Sequence, residues 1–300
     1  MPPSLSTRIR ANLRPPARTS VRRYLDARAI GGFAVEDQFF WQLQLASGVF
    51  KATSHHRLDD TFAMIRRALP PATNLRILDV ACSSGISTVE LHCALSGPGL
   101  SIETVGTDIT TKVMHVAVAR GQAIVYDADG NILGAEIDGM LINRRPNRAV
   151  RLYHPWRVHR ARRLFAAYGR GAFRPPTGAP VTEVPLVTLA VERTPGVRVV
   201  EEDLARPLVP GVFGLIRAAN ILNRGYFAEP RLRELVATLL TRLAPGGLLF
   251  VVRTAGKTNH GTLWRATAAG VELVERIGDG SEIAGLVEDV ARARARPAGP

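Results

Sequence analysis

Two carboxylates and a run of small residues are the features of this sequence best suited to hold a ligand. Asp79 lies near the end of an apolar segment, residues 75–80, and five small residues follow over positions 81–85. Small side chains let a ligand approach the backbone, and the N–H groups at a helix start attract anionic groups. Asp108 closes a second predicted strand, residues 101–107, where its two oxygens can accept hydrogen bonds from both hydroxyls of a ribose. Alternatively, Asp108 caps a helix beginning near Thr110.

A strand, a tight turn and a helix are needed to position these residues. Segment 75–80 predicts a buried strand, and the helical pattern after the turn carries Val89, Leu91 and Leu95. This succession is the opening unit of a doubly wound α/β sheet. Gly85 is the only glycine in the turn, so the three-glycine fingerprint of dinucleotide-binding proteins is absent.

Two further strands predicted for this sheet end in polar residues. The strand over 197–200 is followed by Glu202 and Asp203, and a carboxylate there can accept a hydrogen bond from an exocyclic amine. The strand over 213–219 is followed by Asn220, whose amide can hold a ligand carboxylate without adding charge. Parallel strands bring these ends to one edge of the sheet.

The C-terminal part predicts the rest of the sheet. A helix over 232–243 ends at a Pro-Gly-Gly sequence, and an apolar strand follows over 248–252. Residues 261–267 and 271–277, joined by a short turn, predict an antiparallel hairpin.

These segments together resemble the class I S-adenosylmethionine (SAM)-dependent methyltransferases. Asp79 and the turn after it resemble their motif I, and Ala81-Cys82-Ser83-Ser84-Gly85 is similar to the turn of the chemotaxis-receptor glutamate methyltransferases. Ala81 and Ser83 stand where the motif usually has its first two glycines. The helix, Pro-Gly-Gly and strand unit and the terminal hairpin are also typical of this fold.

Three other segments carry the resemblance. Residues 106–109, Gly-Thr-Asp-Ile, look like the ribose-binding segment, and Asp203-Leu204 looks like the segment beside the adenine. Residues 213–223 resemble a segment of the chemotaxis enzymes, with Gly214 in place of an aspartate. The resemblance implies SAM as cofactor, no metal, and contacts from Asp79, Ala81, Cys82, Ser83, Gly85, Asp108, Ile109, Glu202, Asp203, Leu204 and Asn220.

The fold implied is α/β: a Rossmann-like seven-stranded methyltransferase sheet with a terminal antiparallel hairpin, an N-terminal helical lid, and an inserted hairpin plus basic helix. The predicted domains are a flexible basic arm (1–25), the lid (26–73), the methyltransferase domain (74–290) with an insertion (121–181), and a disordered basic tail (291–300).

Composition limits the partners and the compartment. The chain has 300 residues, a net charge of +13 and two cysteines. It contains no apolar stretch long enough to span a membrane, and two cysteines indicate no disulfide framework, which fits a reducing cytoplasm. The positive charge attracts anions such as nucleic acid, anionic lipid or acidic substrates, although arginine-rich coding bias alone could also produce it.

The insertion contains the densest positive charge. Residues 123–126 and 132–133 predict a hairpin, and no acidic residue occurs between Gly139 and Thr182. Within that interval a helical face formed by Ala161, Leu164, Phe165 and Tyr168 is surrounded by arginines. Such a helix can lie on an anionic membrane at the inner face or bind an acidic partner, or its apolar face can pack on the core.

The predicted function is therefore an enzyme, a SAM-dependent methyltransferase that acts on a small-molecule or lipid-like acceptor. The Asn-Pro-Pro-Tyr type of motif found in nucleic-acid amino-methyltransferases is missing. The alternative is a nucleic-acid-binding or membrane-surface protein built on a degenerate methyltransferase fold. Catalytic residues are not assigned; candidates for orienting the acceptor are His154, His159, Asn220, Tyr226 and His260.

Overall fold

A computed structural model describes residues 19–169 and 171–295. The helices in this part of the chain are α1 (Val21–Ala29), α2 (Phe33–Gln42), α3 (Asp59–Ala68), α4 (Ile86–Leu95), α5 (Arg148–Tyr153), α6 (Pro155–Tyr168), α7 (Leu189–Arg193), α8 (Glu229–Thr241) and α9 (Ala284–Ala295). The strands are β1 (Asn74–Val80), β2 (Ser101–Asp108), β3 (Lys112–Ala119), β4 (Gln122–Tyr126), β5 (Ile132–Ile137), β6 (Leu141–Asn143), β7 (Val181–Pro185), β8 (Val197–Glu201), β9 (Phe213–Ala219), β10 (Leu243–Ala255), β11 (Thr258–Thr267) and β12 (Gly270–Ile277).

The chain folds as two compact units. Among the described residues, the first comprises 19–52 together with 112–189, and the second comprises 53–111 and 190–295. The predicted insertion, 121–181, is therefore shorter than the inserted part that the structure shows. The predicted lid, 26–73, is divided between the units.

The second unit contains the predicted α/β sheet. Its seven strands have the order β12-β11-β10-β9-β1-β2-β8. Strands β10, β9, β1, β2 and β8 run parallel, whereas β11 and β12 form an antiparallel hairpin at the β10 edge. The mixed α/β, Rossmann-like sheet with a terminal hairpin is confirmed.

Apolar residues on both faces explain why this sheet is buried. In β1, Leu78 and Val80 pack in a cluster with residues of α8 and α9, and Leu75 and Ile77 pack in a second cluster with residues of α3 and α4. A near-continuous apolar strand is typical of a parallel sheet covered by helices on both sides. The run read from the sequence as a buried strand therefore lies in the middle of the five parallel strands.

The first unit contains a five-stranded antiparallel sheet of order β6-β5-β4-β3-β7. The predicted hairpin is confirmed as β4 and β5, and the basic helix as α6. The predicted helix after Asp108 is wrong, because the chain continues as β3 instead. The β-branched residues Val113, Val116 and Val118 favour this strand, and the first two are fully buried.

Helices α1 and α2 belong to the first unit because of what they bury. Tyr24, Phe39 and Phe40 form a cluster with apolar residues of β3, β4 and β7, and Tyr24 stacks on Phe39 with ring centroids 4.2 Å apart. The predicted basic arm, 1–25, is too long at its C-terminal end, since α1 begins at Val21; residues 1–18 lie outside the described part. The predicted tail, 291–300, begins too early, because α9 continues to Ala295; residues 296–300 also lie outside.

Among the described helices, none is both long enough and apolar enough to cross a membrane.

Candidate functional site

The strand order brings four of the predicted ligand-binding segments to one edge. Strands β9, β1, β2 and β8 are neighbours and run parallel, so their carboxyl ends lie side by side. The chain leaves β1 toward β2 and β8 on one side, and later returns to β9 on the other. Ligands of open α/β sheets bind in the crevice outside the carboxyl ends at such a switch point. The candidate site therefore lies outside the ends of β1 and β9.

The turn between β1 and α4 has an unusual backbone. Ala81, Ser83 and Gly85 have φ angles of 54°, 59° and 84°, so three alternate residues adopt the left-handed region. These are the positions at which the resembled motif usually has glycines, yet only Gly85 is one. Non-glycine residues reach this region at an energetic cost of about 1–2 kcal/mol. The chain thus keeps the backbone of a glycine-rich turn although two of its three left-handed residues are not glycine.

Two hydrogen bonds tie this turn to the end of β2. The N–H of Cys82 donates to the carbonyl of Thr107 over 2.9 Å, and the N–H of Ser83 donates to Oδ2 of Asp108 over 2.8 Å. The turn ends at Gly85, the N-cap of α4, and no side chain bonds to the cap. The start of α4 therefore keeps N–H groups that can receive an anionic group.

Asp79 does not present its carboxylate to this edge. Its side chain is 1% exposed, and both oxygens are bound by Arg217 of β9, with Nε to Oδ1 at 2.8 Å and Nη2 to Oδ2 at 2.7 Å. Thr88 of α4 donates to Oδ2 as well. A carboxylate saturated in this way joins β1, β9 and α4, and a cofactor contact from it does not fit this geometry.

Arg217 is the residue of this region that sequence reasoning missed. It is fully buried and also donates from Nη2 to the carbonyl of Ser87 over 2.8 Å. An arginine inside the apolar run of β9 was the signal that could have revealed it, because a buried charge requires a partner. Within residues 19–169 and 171–295, its Nη1 and the Nε of Arg57 are buried without a hydrogen-bond partner.

The charge of Arg217 also affects Arg57. Burial lowers the pKa of Arg57, and repulsion from Arg217 lowers it further, while Asp79 and Glu90 act in the opposite direction. Two arginines and two carboxylates are therefore close enough here to affect one another electrostatically.

Asp108 remains partly exposed. Besides Ser83, it accepts a hydrogen bond from the N–H of Thr110 to Oδ1 over 3.2 Å. An ionised carboxylate has about four sites that can accept hydrogen bonds, and ligand hydroxyls are suitable donors for them. Ile109, the next residue, is 66% exposed, so its apolar side chain offers a surface for a flat ring.

The two acids after β8 have different environments. Glu202 is 3% exposed, pairs with Arg242 at 2.8 Å and accepts the N–H groups of Leu208 and Val209, so its predicted cofactor contact does not fit the structure. Asp203 is half-buried, and its Oδ1 accepts the N–H of Ala205 over 2.9 Å. Of the two, Asp203 is the acid available to an exocyclic amine.

Asn220 lies where it was predicted, but its amide is engaged. It has a φ of 61°, and its Oδ1 accepts the N–H of Thr254 over 2.7 Å. This bond joins the end of β9 to the end of β10 and leaves the amide nitrogen 3.5 Å from Oγ1 of Thr254. Asn220 thus shapes the edge rather than offering a free amide to a ligand carboxylate.

The remaining candidates are spread over the two units. His154 and His159 lie in the first unit; Tyr226, 56% exposed, and His260 lie in the second. His260 lines a cavity of about 310 Å³ at the carboxyl end of β10, together with Leu222 and Ser281. Its Nδ1 accepts the N–H of Asp279 over 3.0 Å.

Comparisons with known proteins return solved structures only. No protein-family model matches the sequence, and no curated protein matches it. The solved structures include CalS10, a SAM-bound amino pentose methyltransferase from Micromonospora echinaspora, at 17% identity and a TM-score of 0.32, covering 72% of this chain and 64% of that one. They also include the sugar N-methyltransferase KedS8 from Streptoalloteichus sp, at 12% identity and a TM-score of 0.34, covering 80% of this chain and 78% of that one.

A third solved structure is the N-methyltransferase NodS from Bradyrhizobium japonicum in complex with S-adenosyl-L-homocysteine. It is 11% identical, with a TM-score of 0.33 and 72% of each chain covered. This chain spans less than two thirds of the length of CalS10. At such identities and TM-scores, the activities and acceptors of those enzymes do not transfer to this chain.

Proposed function

We propose that this protein is a SAM-dependent methyltransferase acting on a small-molecule or lipid-like acceptor. The observation that supports it most strongly is the set of segments brought to the switch point of the sheet. A turn with three left-handed residues, an uncapped helix start and a partly exposed Asp108 meet there, and they fit a nucleoside with a charged amino-acid arm.

The residues have separate tasks in this proposal. The carboxylate of Asp108 accepts the ribose hydroxyls, Ile109 and Leu204 contact the adenine ring, and Asp203 accepts the adenine amine. The backbone of Ala81, Cys82, Ser83 and Gly85 borders the amino-acid arm, and the start of α4 receives its carboxylate. Asp79 and Arg217 support this arrangement from inside the sheet.

Bound SAM supplies a methyl group already activated by the sulfonium. The protein then needs to align an acceptor with that methyl group and exclude water, and no dedicated base is required. No side chain is assigned to catalysis. The cavity beside His260 and Leu222, at the neighbouring strand end, is the place proposed for part of the acceptor.

One observation favours the alternative of a degenerate fold that has lost the cofactor. Two of the residues predicted to contact the cofactor, Asp79 and Glu202, form buried ion pairs with arginines. Ala81 and Ser83 also stand where the resembled motif usually has glycines. The two possibilities differ in whether a nucleoside binds at the edge.

Calorimetry on the full chain with SAM, S-adenosyl-L-homocysteine and adenosine tests the proposal. The informative variant is Asp108→Asn, because an amide oxygen can still accept the N–H of Ser83 while one ribose acceptor is lost. We expect wild type to bind all three ligands and this variant to bind them at least tenfold more weakly, about 1.4 kcal/mol. Methionine, which has no ribose, serves as a ligand control.

The matched control is Glu103→Gln, the loss of a carboxylate on the same strand near its amino end. Glu103 pairs with Arg76 at 2.7 Å, and its removal is expected to leave the binding of all three ligands unchanged. Absence of binding by folded wild-type protein would overturn the proposal, as would equal losses in both variants.

A further inference from the structure

One surface of the first unit combines exposed apolar side chains with arginines. We call it the α5–α6 surface, defined by Arg148, Arg151, Leu152, Tyr153, Trp156, His159, Arg162 and Arg163. No residue of α5 is buried. Leu152, Tyr153 and Trp156 are 60%, 42% and 47% exposed, although large apolar side chains close together are usually covered in a protein that works in water.

The opposite side of α6 is committed to the core. Val158, Ala161 and Leu164 are buried in a cluster with residues of β5 and β6, which confirms part of the apolar face predicted from the sequence. The spacing of these three buried residues determines which side of α6 faces outward. At 100° per residue, Trp156, His159 and Arg163 share the outward side of the helix.

Two arginine guanidinium groups lie against the indole ring of Trp156. The guanidinium carbon of Arg157 lies 4.6 Å from the centre of the indole ring, and that of Arg160 lies 5.9 Å away. Arg157 is itself only 8% exposed. The indole is therefore supported from the protein side while about half of it faces outward.

The arginines of this surface have little negative charge near them. Residues 140–181 contain no acid, and in the described part of the chain the only salt bridge from an arginine of α5 or α6 joins Arg160 to Asp138, at 2.9 Å. Arg148, Arg151, Arg162 and Arg163 are all exposed. Four exposed like charges without carboxylate partners attract a surface of opposite charge.

Exposed arginines of this kind could bind a nucleic acid or an anionic membrane, and the apolar residues beside them favour the membrane. Leu152 can neither stack on a base nor form a hydrogen bond, and one side of Trp156 is already covered by guanidinium groups. Tryptophan, tyrosine and leucine surrounded by arginines are the composition of helices that lie in the headgroup region of a bilayer. Guanidinium groups bind lipid phosphates bidentately, and their stems lie along apolar groups.

We propose that the α5–α6 surface binds the anionic face of a phospholipid bilayer. Leu152, Tyr153 and Trp156 enter the boundary between headgroups and acyl chains, and the four arginines pair with lipid phosphates. This inference is independent of the proposed methyl transfer, since none of these residues belongs to the candidate cofactor site.

The first test is co-sedimentation of the full chain with vesicles. We expect binding to vesicles that contain phosphatidylglycerol and little binding to pure phosphatidylcholine. Each arginine near an anionic surface strengthens binding about fivefold, so Arg151→Gln with Arg162→Gln should weaken it about 25-fold. Leu152→Ser with Trp156→Ser should weaken it about tenfold or more.

Two control variants match these changes. Arg231→Gln with Arg233→Gln removes the same charge from exposed arginines of α8, each of which is paired with a carboxylate. Trp41→Ser removes an exposed tryptophan, 57% exposed, from α2 of the same unit. Both controls are expected to bind vesicles as wild type does; equal losses in control and surface variants would overturn the proposal.

Tryptophan fluorescence gives a second readout. The chain has three tryptophans, and Trp264 is fully buried, so Trp41→Phe leaves Trp156 as the exposed one. We expect vesicles containing brominated phosphatidylglycerol to quench this variant and not to quench Trp156→Phe. Quenching only in the variant that retains Trp41 would place the bilayer elsewhere and contradict the proposal.

Binding of a fluorescein-labelled RNA oligonucleotide tests whether the surface binds nucleic acid instead of a membrane. If RNA binds, loses affinity in the arginine variant and is unaffected in the Leu152 and Trp156 variant, and vesicles do not bind, the surface is a nucleic-acid site and the proposal is wrong. Vesicle binding that depends on both sets of residues supports it.

Discussion

The buried pair of Asp79 and Arg217 gives the sharpest test of how this fold is held together. Replacing Arg217 with methionine removes the charge and the guanidinium but keeps an unbranched apolar chain that fills the space of the arginine stem. Asp79, 1% exposed, then loses two hydrogen bonds of 2.8 and 2.7 Å and keeps only Thr88 of its three side-chain donors. Leaving one member of a buried pair uncompensated costs about 3–5 kcal/mol.

Such a loss is large beside the total stability of a domain, which is about 5–15 kcal/mol. The free energy of unfolding should be measured in urea at neutral pH, with the slope against urea checked for constancy. Asp79→Asn alone should also be strongly destabilising, because it leaves the guanidinium buried. The double variant, Asp79→Asn with Arg217→Met, should lose about 2–3 kcal/mol less than the sum of the singles.

A surface pair provides the control. Arg231 and Glu234 are joined by a salt bridge of 2.7 Å, with side chains 45% and 64% exposed. Arg231→Met should therefore change stability by less than about 1 kcal/mol, although the distance is the same as in the buried pair. The reasoning is refuted if Arg217→Met costs no more than Arg231→Met, or if the two single losses simply add.

Two further predictions concern the turn and the pH dependence of stability. Ala81→Gly should stabilise the protein by about 0.5–1 kcal/mol in the same urea assay, since relief of left-handed strain exceeds the added freedom of the unfolded chain. A lower free energy of unfolding in this variant would contradict the prediction. Burial lowers the pKa of His92 below its ordinary value of 6.5, and its Nδ1 lies 2.9 Å from Oγ1 of Thr104. Unfolded His92 therefore takes up a proton at a higher pH than the folded form, and stability falls as pH drops below about 6.5. His92→Gln should flatten that fall between about pH 7 and 5; an unchanged slope would exclude His92 as its cause.

Much of the fold could be read from local patterns. The alternation of apolar strands with helical segments predicted the α/β sheet, and the short turn at 268–270 predicted the terminal hairpin. These signals are local because strand burial and turn chemistry leave their mark within a few residues. The strand at 112–119 was missed, since its valines follow a segment that also suited a helix start.

The division into two units could not be predicted from the sequence. Residues of α2 were assigned to a lid over the sheet edge, and those of α1 were divided between the basic arm and that lid. The aromatic residues of both helices pack instead with strands of the first unit that are distant in sequence; the hydrogen bond from the hydroxyl of Tyr24 to the carbonyl of Pro185 spans 161 residues. Nothing local in an apolar helix face specifies which distant apolar surface covers it.

The sequence by itself determined which residue types could bind a ligand: two acids at strand ends, small residues between a strand and a helix, and a basic insertion. Only the tertiary structure decided how the acids are used. Asp79 and Glu202 lie opposite Arg217 and Arg242 on distant segments, and a buried carboxylate is stable only with such a partner. Asp108 instead accepts the N–H groups of Ser83 and Thr110 and remains partly exposed, so water can solvate its charge.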